Sequence, residues 1–465
     1  MVVNLVFYFL IGSRGAQTPG QGFVGLDSDG NLALQPPAGR QLVADGVVLM
    51  NELANLRALV AQQQSMISQL NATVATQQSI IAANNQGSGI SPVLATAFYD
   101  LRSKLGFLFS GTIRTIDNTS DVGEYTSLAL TTAGFPVISY LDDTNDDLKL
   151  AACADATCSS GTTIRTIDSK GDVGYYTSLA LTAGGFPVIS YRDGTNKDLK
   201  LAVCVDATCS SGTTIRTIDS TGDVGYHTSL ALTSAGFPVI SYYDGTNEDL
   251  KLAVCADATC SSGTTVRTMD STGRVGWYTS LALTTGGCPI ISYADVTNGD
   301  LKLAVCADAT CSSDTTIRII DSSGDVGYFT SLVLTTAGFP VISYYDNTNH
   351  NLKLAVCADA TCSSGTTIRT IDSAGDVGYH TSLALTAAGL PVISYHDRTS
   401  GVLKLAACAD TTCSLGATVR NVDSSGIVGE HTSLGLTTAG FPVISYRDLT
   451  NDNLKLAVCA GATCL

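Results

Sequence analysis

Basic charge is scarce in this chain. Charged residues make up 14% of the 465, and 25 Lys and Arg stand against 41 Asp and Glu, for a formal net charge of −16. Residues 1–100, with five acids and three bases, contribute −2 of it, which leaves −14 on residues 101–465. A surface that acidic repels nucleic acid and anionic lipid, so a nucleic-acid partner is excluded. Neutral sugars, cations and basic proteins are compatible with it. Long apolar runs are also missing. Residues 2–11, VVNLVFYFLI, are too short to span a bilayer, so no membrane span is expected. Gly is abundant, with 45 residues, and Thr, Ser, Val and Ile are plentiful, which is a β-protein composition.

The apolar run is followed by the small residues Ser13, Gly15 and Ala16. It reads as the core of a secretory signal peptide over 1–16, although no basic residue precedes it. Residues 17–46 are rich in Gly, Pro and Asp and read as turns and short strands. Within them Asp27-Ser-Asp29-Gly-Asn31 hints at a calcium loop but lacks the downstream bidentate Glu, which favours a β-turn. Residues 47–84 contain no Pro or Gly. Two narrow registers run through them: Leu53, Val60, Ile67, Val74 and Ile81 in one, Leu49, Leu56, Gln63, Leu70 and Gln77 in the other. A seam that strict predicts a coiled coil. The chain is therefore expected to be a homo-oligomer. β-Branched residues opposite Leu suit a parallel dimer, and the Gln layers leave a trimer open. Residues 85–108 read as a linker.

From residue 109 to 465 a unit of about 51 residues recurs. Its third copy shows four strand-like runs, Ser229–Leu232, Pro238–Tyr242, Leu250–Cys255 and Thr265–Met269, separated by turn-rich connections. Four antiparallel strands per repeat is the pattern of a β-propeller blade. The ends of the array argue for a closed ring. The SLAL-type strand occurs seven times, and so does the fourth strand, but the first fourth strand, Thr112–Ile116, precedes every SLAL strand. The last unit stops after three strands. The orphan strand is expected beside Leu454–Val458, completing the last blade and removing exposed edges. The predicted fold is an all-β, seven-bladed propeller of four-stranded antiparallel blades, closed by an N-terminal strand and preceded by the helical segment. Its units resemble the SYYD/LK-type propeller repeats of secreted and surface proteins. That resemblance concerns architecture and leaves activity open.

Fourteen of the 15 Cys fall in C-x4-C pairs, one per unit: Cys153/Cys158, Cys204/Cys209, Cys255/Cys260, Cys306/Cys311, Cys357/Cys362, Cys408/Cys413 and Cys459/Cys464. A structural metal wants four ligands, and one isolated pair supplies two. Two thiols facing across a hairpin suffice for a disulfide. Disulfides are therefore expected, and with them an oxidising compartment. No metal centre is expected. Cys288 stands where five of the other units have the Phe of a G-F-P turn and is expected to be a buried small hydrophobe. The sequons at Asn71 and Asn118 are candidate glycosylation sites fitting a secretory route.

Two sevenfold sets are candidate ligand residues. One precedes the SLAL strand: Tyr125, Tyr176, His227, Tyr278, Phe329, His380 and His431. Its preceding neighbours are Glu124, Tyr175, Tyr226, Trp277, Tyr328, Tyr379 and Glu430. The other ends the second strand: Asp142, Asp193, Asp244, Asp295, Asp346, Asp397 and Asp448. The strand order puts both sets on one rim near the channel mouth, where flat rings and carboxylates suit sugar rings and hydroxyls. The alternative for the rings is packing between blades. For the charges it is pairing between blades, with the Arg of the fourth strand (Arg114 and its equivalents) or the Lys of the third (Lys149 and its equivalents) set against Asp. No cofactor is expected, and calcium is the one cation the carboxylates leave open. The connection Asp219-Ser-Thr-Gly-Asp-Val-Gly225 resembles the Asp-box of sialidase-like propellers, but it lacks that motif's aromatic ending and the accompanying Arg cluster. Near-identical blades supply symmetry where catalysis needs an acid and a base in different environments, so an enzyme is not expected. The sequence points to an extracellular or cell-surface binding protein of lectin or adhesin type. A glycan or protein would sit on the loop-rich face, and linked sites would add avidity. A structural fibre or coat component and a carbohydrate-active enzyme are the alternatives.

Overall fold

The computed structural model of the chain describes residues 23–26, 32–35 and 111–464. The expected signal peptide, the 47–84 coiled coil, the 85–108 linker and Asn71 lie outside the described residues. Within the Gly/Pro-rich segment, the strands Phe23–Leu26 and Leu32–Gln35 pair antiparallel. Residues 27–31 between them are also outside.

Residues 112–458 form seven four-stranded antiparallel sheets, six of them paired in sequence order from first strand to fourth. In the third blade these are Val224–Leu232, Pro238–Asp244, Asp249–Val254 and Thr265–Asp270. The last blade consists of Val428–Leu436, Pro442–Asp448 and Asn453–Val458, and Thr112–Asp117 is its outer strand. Thr112 lies opposite Val458, Ile113 opposite Ala457 and Arg114 opposite Leu456, the closure that the sequence predicts.

Burial follows strand position. The second strand is buried at every residue in all seven blades, because both of its faces meet neighbouring blades. Each blade interface has its own core. Val188, Leu199 and Leu201 of the second blade, for example, pack on Val224, Leu230, Ile240 and Tyr242 of the third. The first strand starts earlier than the pattern suggests, at Val224 rather than Ser229. Two register shifts separate the segment before the bulge from the SLAL run, and this break hid the strand's first half. Its second residue must be Gly. At Gly429, with φ +97°, an added Cβ would sit 2.7 Å from Leu403 Cα of the preceding blade, so only Gly lets the backbones meet.

Of the two pairings expected between blades, Arg–Asp and Lys–Asp, the structure forms the second. Arg114, Arg165, Arg216, Arg369 and Arg420 are exposed on the outer strands, and none of the fourth-strand Arg forms an ion pair among the described residues. The outer strand has no further blade beyond it, so nothing there requires a charge partner. Lys makes the inter-blade contact. Lys251 Nζ reaches Asp219 of the preceding blade at 3.0 Å and Asp244 of its own blade at 3.2 Å, while the Tyr242 hydroxyl donates to Asp219 at 2.6 Å. All seven interfaces repeat this clamp, with Lys–Asp distances of 2.5–3.3 Å across the interface. Burial pushes the Asp219 carboxyl up, but the bonds from Tyr242, Thr221 and Lys251 outweigh it and hold the group below its usual range.

All seven C-x4-C pairs are disulfides, with Cα–Cα separations of 4.7–5.0 Å. The pairing is as expected, but the placement of the second thiol is not, because the two do not face each other across a hairpin. The first Cys of each pair, Cys153, Cys204, Cys255, Cys306, Cys357, Cys408 and Cys459, stands at the end of the third strand. The second, Cys158, Cys209, Cys260, Cys311, Cys362, Cys413 and Cys464, lies outside any strand and closes the turn that follows. Its backbone is left-handed in all seven, with φ between 48° and 53°. The reason is the short spacing. Within a separation of five residues the chain must leave the sheet and bring a thiol back to it. Cys260 N donates to the Asp257 carbonyl at 3.2 Å, which makes a tight turn, and the left-handed residue ending it turns the side chain toward Cys255. The bridge thus pins a turn to the end of its own strand rather than joining two strands. Cys288 is free and half-buried rather than buried, since the turn it occupies lies at the end of the sheet.

The Lys clamp is testable by substitution. Lys251→Met leaves two buried carboxylates without their cation and is expected to destabilise by about 3–5 kcal/mol in chemical denaturation. Arg216→Ala on the exposed outer strand is expected to change stability by less than about 0.5 kcal/mol.

Candidate functional site

The first strands line the channel and are tied to one another around it. Leu230 N donates to Ser178 Oγ of the preceding blade at 3.0 Å, and the equivalent bond recurs at every junction. Thr228 Oγ1 donates to the Tyr176 carbonyl at 2.9 Å and shares a hydrogen bond of 2.7 Å with Ser190 Oγ. These bonds hold the bulge open, and the residue at its apex takes a left-handed backbone. Tyr125, Tyr176, His227, Tyr278, Phe329, His380 and His431 have φ between 49° and 53°. That conformation is unfavourable for aromatic residues, and here no covalent bridge imposes it. Strain of this kind clusters at functional sites.

At the apex the seven rings meet. Each stacks on the next at centroid distances of 4.2–4.6 Å, and the circle closes between His431 and Tyr125. The planes are tilted by 47–58°, in the range of favourable aromatic contacts. The set therefore packs between blades and also borders open space. A pocket of about 200 Å³ is lined by the seven rings and by the Thr that follows each of them. Geometrically this is one site on the channel axis rather than seven on the blades. Burial lowers the His227 and His431 imidazoles to about 3 and carries His380 well below its usual value, so all three are neutral near pH 7.

The second predicted set sits elsewhere. Asp142, Asp193, Asp244, Asp295, Asp346, Asp397 and Asp448 are 0–3% exposed. Asp193 accepts from Asn196 N at 2.8 Å and from Asn196 Nδ2 at 3.0 Å, with Lys200 Nζ at 3.3 Å. The carboxylates offered to a cation or sugar by the sequence thus staple the loop between second and third strands and face the chain's own Lys. Among the described residues no group of three or more His, Cys, Asp or Glu is placed to hold a metal ion. The loops do share a face with the ring: Asp223 N donates to Thr246 Oγ1 at 2.7 Å, joining the fourth-to-first and second-to-third connections. The disulfide loops lie at the other end of the sheets, where Cys255 N donates to the Pro238 carbonyl. Asn118 is exposed in the connection leading into the first blade.

Sequence reasoning passed over the polar residues behind the ring. Arg447 reaches from the last blade to Asp121 at 2.7 Å and to Glu124 of the first. His396, 3% exposed, contacts the Val428 carbonyl through Nδ1 at 2.9 Å. The signal was available. These two are the His and Arg that stand between Tyr and Asp in S-Y-x-D, a position that varies from blade to blade.

No protein-family model matches the chain, and no curated protein matches it. Solved structures align with it at low identity. A protein of unknown function from Dyadobacter fermentans is 10% identical, with a TM-score of 0.44 over 75% of this chain and 97% of its own. A PL25 ulvan lyase, a polysaccharide lyase, is 11% identical, with a TM-score of 0.48 over 77% of this chain and 96% of its own. The lectin SapL1, solved with alpha methyl fucoside, is 11% identical, with a TM-score of 0.42 over 64% and 95%. Likeness at this level carries nothing about what this chain binds or whether it is an enzyme.

The ring's neutral imidazoles have a pH signature. His227 has a folded pKa of about 3 against 6.5 when unfolded. The stability its neutral form contributes is complete above pH 6.5 and is lost as the pH falls toward 3. His227→Tyr, which installs the residue three other blades carry, is expected to lose less stability than the parent between pH 7 and 4.5. The difference should be about 2–3 kcal/mol in paired denaturation curves.

Proposed function

We propose that the propeller is a glycan-binding module whose ligand sits in the central pocket, one ligand per propeller. The observation that supports this most is the closed circle of seven strained, half-buried rings around an open cavity that the following Thr also line. The ring faces stack on one another and each Thr hydroxyl is bonded to a Ser of the preceding blade, so a sugar would meet ring edges in a pocket wall of mixed aromatic and polar residues. Avidity would then come from the coiled coil, which gathers two or three chains, rather than from several sites on one propeller. Seven disulfides fit an extracellular setting. No helix among the described residues is long and apolar enough to cross a membrane.

A carbohydrate-active enzyme is the second reading. It is favoured by one observation, the Glu124–Arg447 pair and His396 behind the ring, which supply the asymmetry that the repeats lack. A glycan array on the full chain separates the readings. The binding reading expects bound glycans, no turnover of them, and no change with chelator, because the repeated carboxylates already hold Lys. Tyr278→Ala should weaken the best ligand by about tenfold or more. Ser261→Ala in a disulfide loop on the other face should leave it unchanged. Binding unaffected by Tyr278→Ala would overturn the pocket assignment, turnover would favour the enzyme, and absence of glycan binding with self-assembly into filaments would favour a structural role.

A further inference from the structure

One blade junction on the ring face carries a polar relay that the repeats do not account for. Blades three and five both have Tyr at the variable place of S-Y-x-D, Tyr243 and Tyr345. In the third blade the loop that follows ends on Glu248, which pairs with Arg274 at 3.3 Å. In the fifth it ends on His350, the one exposed residue among the chain's five His. Tyr345 itself is 1% exposed. Its hydroxyl lies 2.6 Å from His350 Nδ1 and 2.8 Å from Oδ1 of Asp376, in the connection into blade six. Arg398 of blade six lies 3.9 Å from Oδ2 of the same carboxylate and donates to the Tyr379 hydroxyl at 2.9 Å.

The single hydrogen of the Tyr345 hydroxyl fixes the direction of the relay. Burial, with the bonds to Tyr379 and Asp376, pushes this hydroxyl far up and keeps it protonated. Its hydrogen goes to Asp376, so its oxygen accepts from His350 Nδ1–H. The imidazole lone pair then falls on Nε2, which has no partner among the described residues. The His350 side chain is 56% exposed and that of Arg398 63%, so a solute reaches both. Asp376, 3.5 Å from His350 Nδ1, stabilises the imidazole when Nε2 takes up a proton.

We propose that this junction is a hydrolytic site for small acyl esters, with His350 as its general base. Nε2 takes a proton from water as the water oxygen bonds to the acyl carbon. The carbonyl electron pair moves onto the carbonyl oxygen, beside the Arg398 guanidinium. The intermediate collapses by breaking the bond to the alcohol oxygen, which takes the proton back from Nε2, and acid and alcohol leave. Tyr345 and Asp376 are positioning residues. The groups present set the class. A base and a cationic donor suffice at an acyl carbonyl, whereas a glycosidic bond also needs an acid at its leaving oxygen. The site lies outside the residues that line the axial pocket and does not rest on the glycan reading.

The test follows hydrolysis of 4-nitrophenyl acetate by the full chain, with free imidazole at the same pH as the reference. The chain is expected to exceed free imidazole by about a hundredfold or more in second-order rate constant. His350→Asn suits the left-handed backbone at that position, φ 57°, and should remove the excess at unchanged thermal stability. Tyr345→Phe, Asp376→Asn and Arg398→Gln should each lower kcat about tenfold or more and leave KM unchanged, a split that a purely structural role would not produce. A rate no faster than that of free imidazole would overturn the site, leaving an exposed imidazole and nothing more. An excess that survives His350→Asn would overturn the assignment of the base. An excess lost in His350→Asn but kept in both Tyr345→Phe and Asp376→Asn would overturn the relay.

Discussion

Asp219, buried at the end of one blade's outer strand, is held by the Tyr242 hydroxyl and the Lys251 ammonium of the next blade. A carboxylate there would be prohibitive alone, and an ammonium beside it equally so. Together with Asp244 they satisfy one another only when two blades are docked in one register. The hydrophobic wedges between blades would tolerate some sliding, whereas the clamp does not. Seven such contacts set the blade-to-blade angle and bring Thr112–Asp117 back to the last blade. They also fix the heights of the first strands, whose Leu–Ser bonds encircle the channel. The strained backbone at the ring is a consequence. Seven bulges held at one height can point seven side chains at one axis, and the left-handed φ is the local cost of that aim.

Much of this was legible in sequence because repetition multiplies weak signals. A single S-Y-x-D or C-x4-C says little; seven in phase define the blade, the disulfides and, through the displaced first strand, the closure. What escaped was direction. Lys and Arg recur equally often, and only the depth of their strands separates them. The third strand is covered on both faces and the fourth is the outer edge, so Lys251 is clamped while Arg216 faces solvent. The Asp of S-Y-x-D looked like a ligand group because its loop shares the ring's face, yet its carboxylate turns inward to Lys and Asn. Spacing identified the partner of Cys255 but not the left-handed turn that delivers Cys260 to it. The ring residues looked like seven separate positions because a linear repeat does not display its axis, where they become one circle.

The division of labour between symmetric and asymmetric residues follows from the same constraint. Residues that must satisfy an identical neighbour recur identically, as Tyr242, Lys251 and Asp219 do. Freedom to vary remains where a side chain faces the ring's surroundings, as at Glu124, Glu430, His396 and Arg447. Differences accumulate there without disturbing closure.

In the proposed binding, seven equal blades share one site on the channel axis. Calorimetric titration of the full chain with the tightest glycan from the array measures how many ligands it holds. One ligand per chain is expected, whatever the oligomer, and a stoichiometry approaching seven per chain would place the binding on the blades instead.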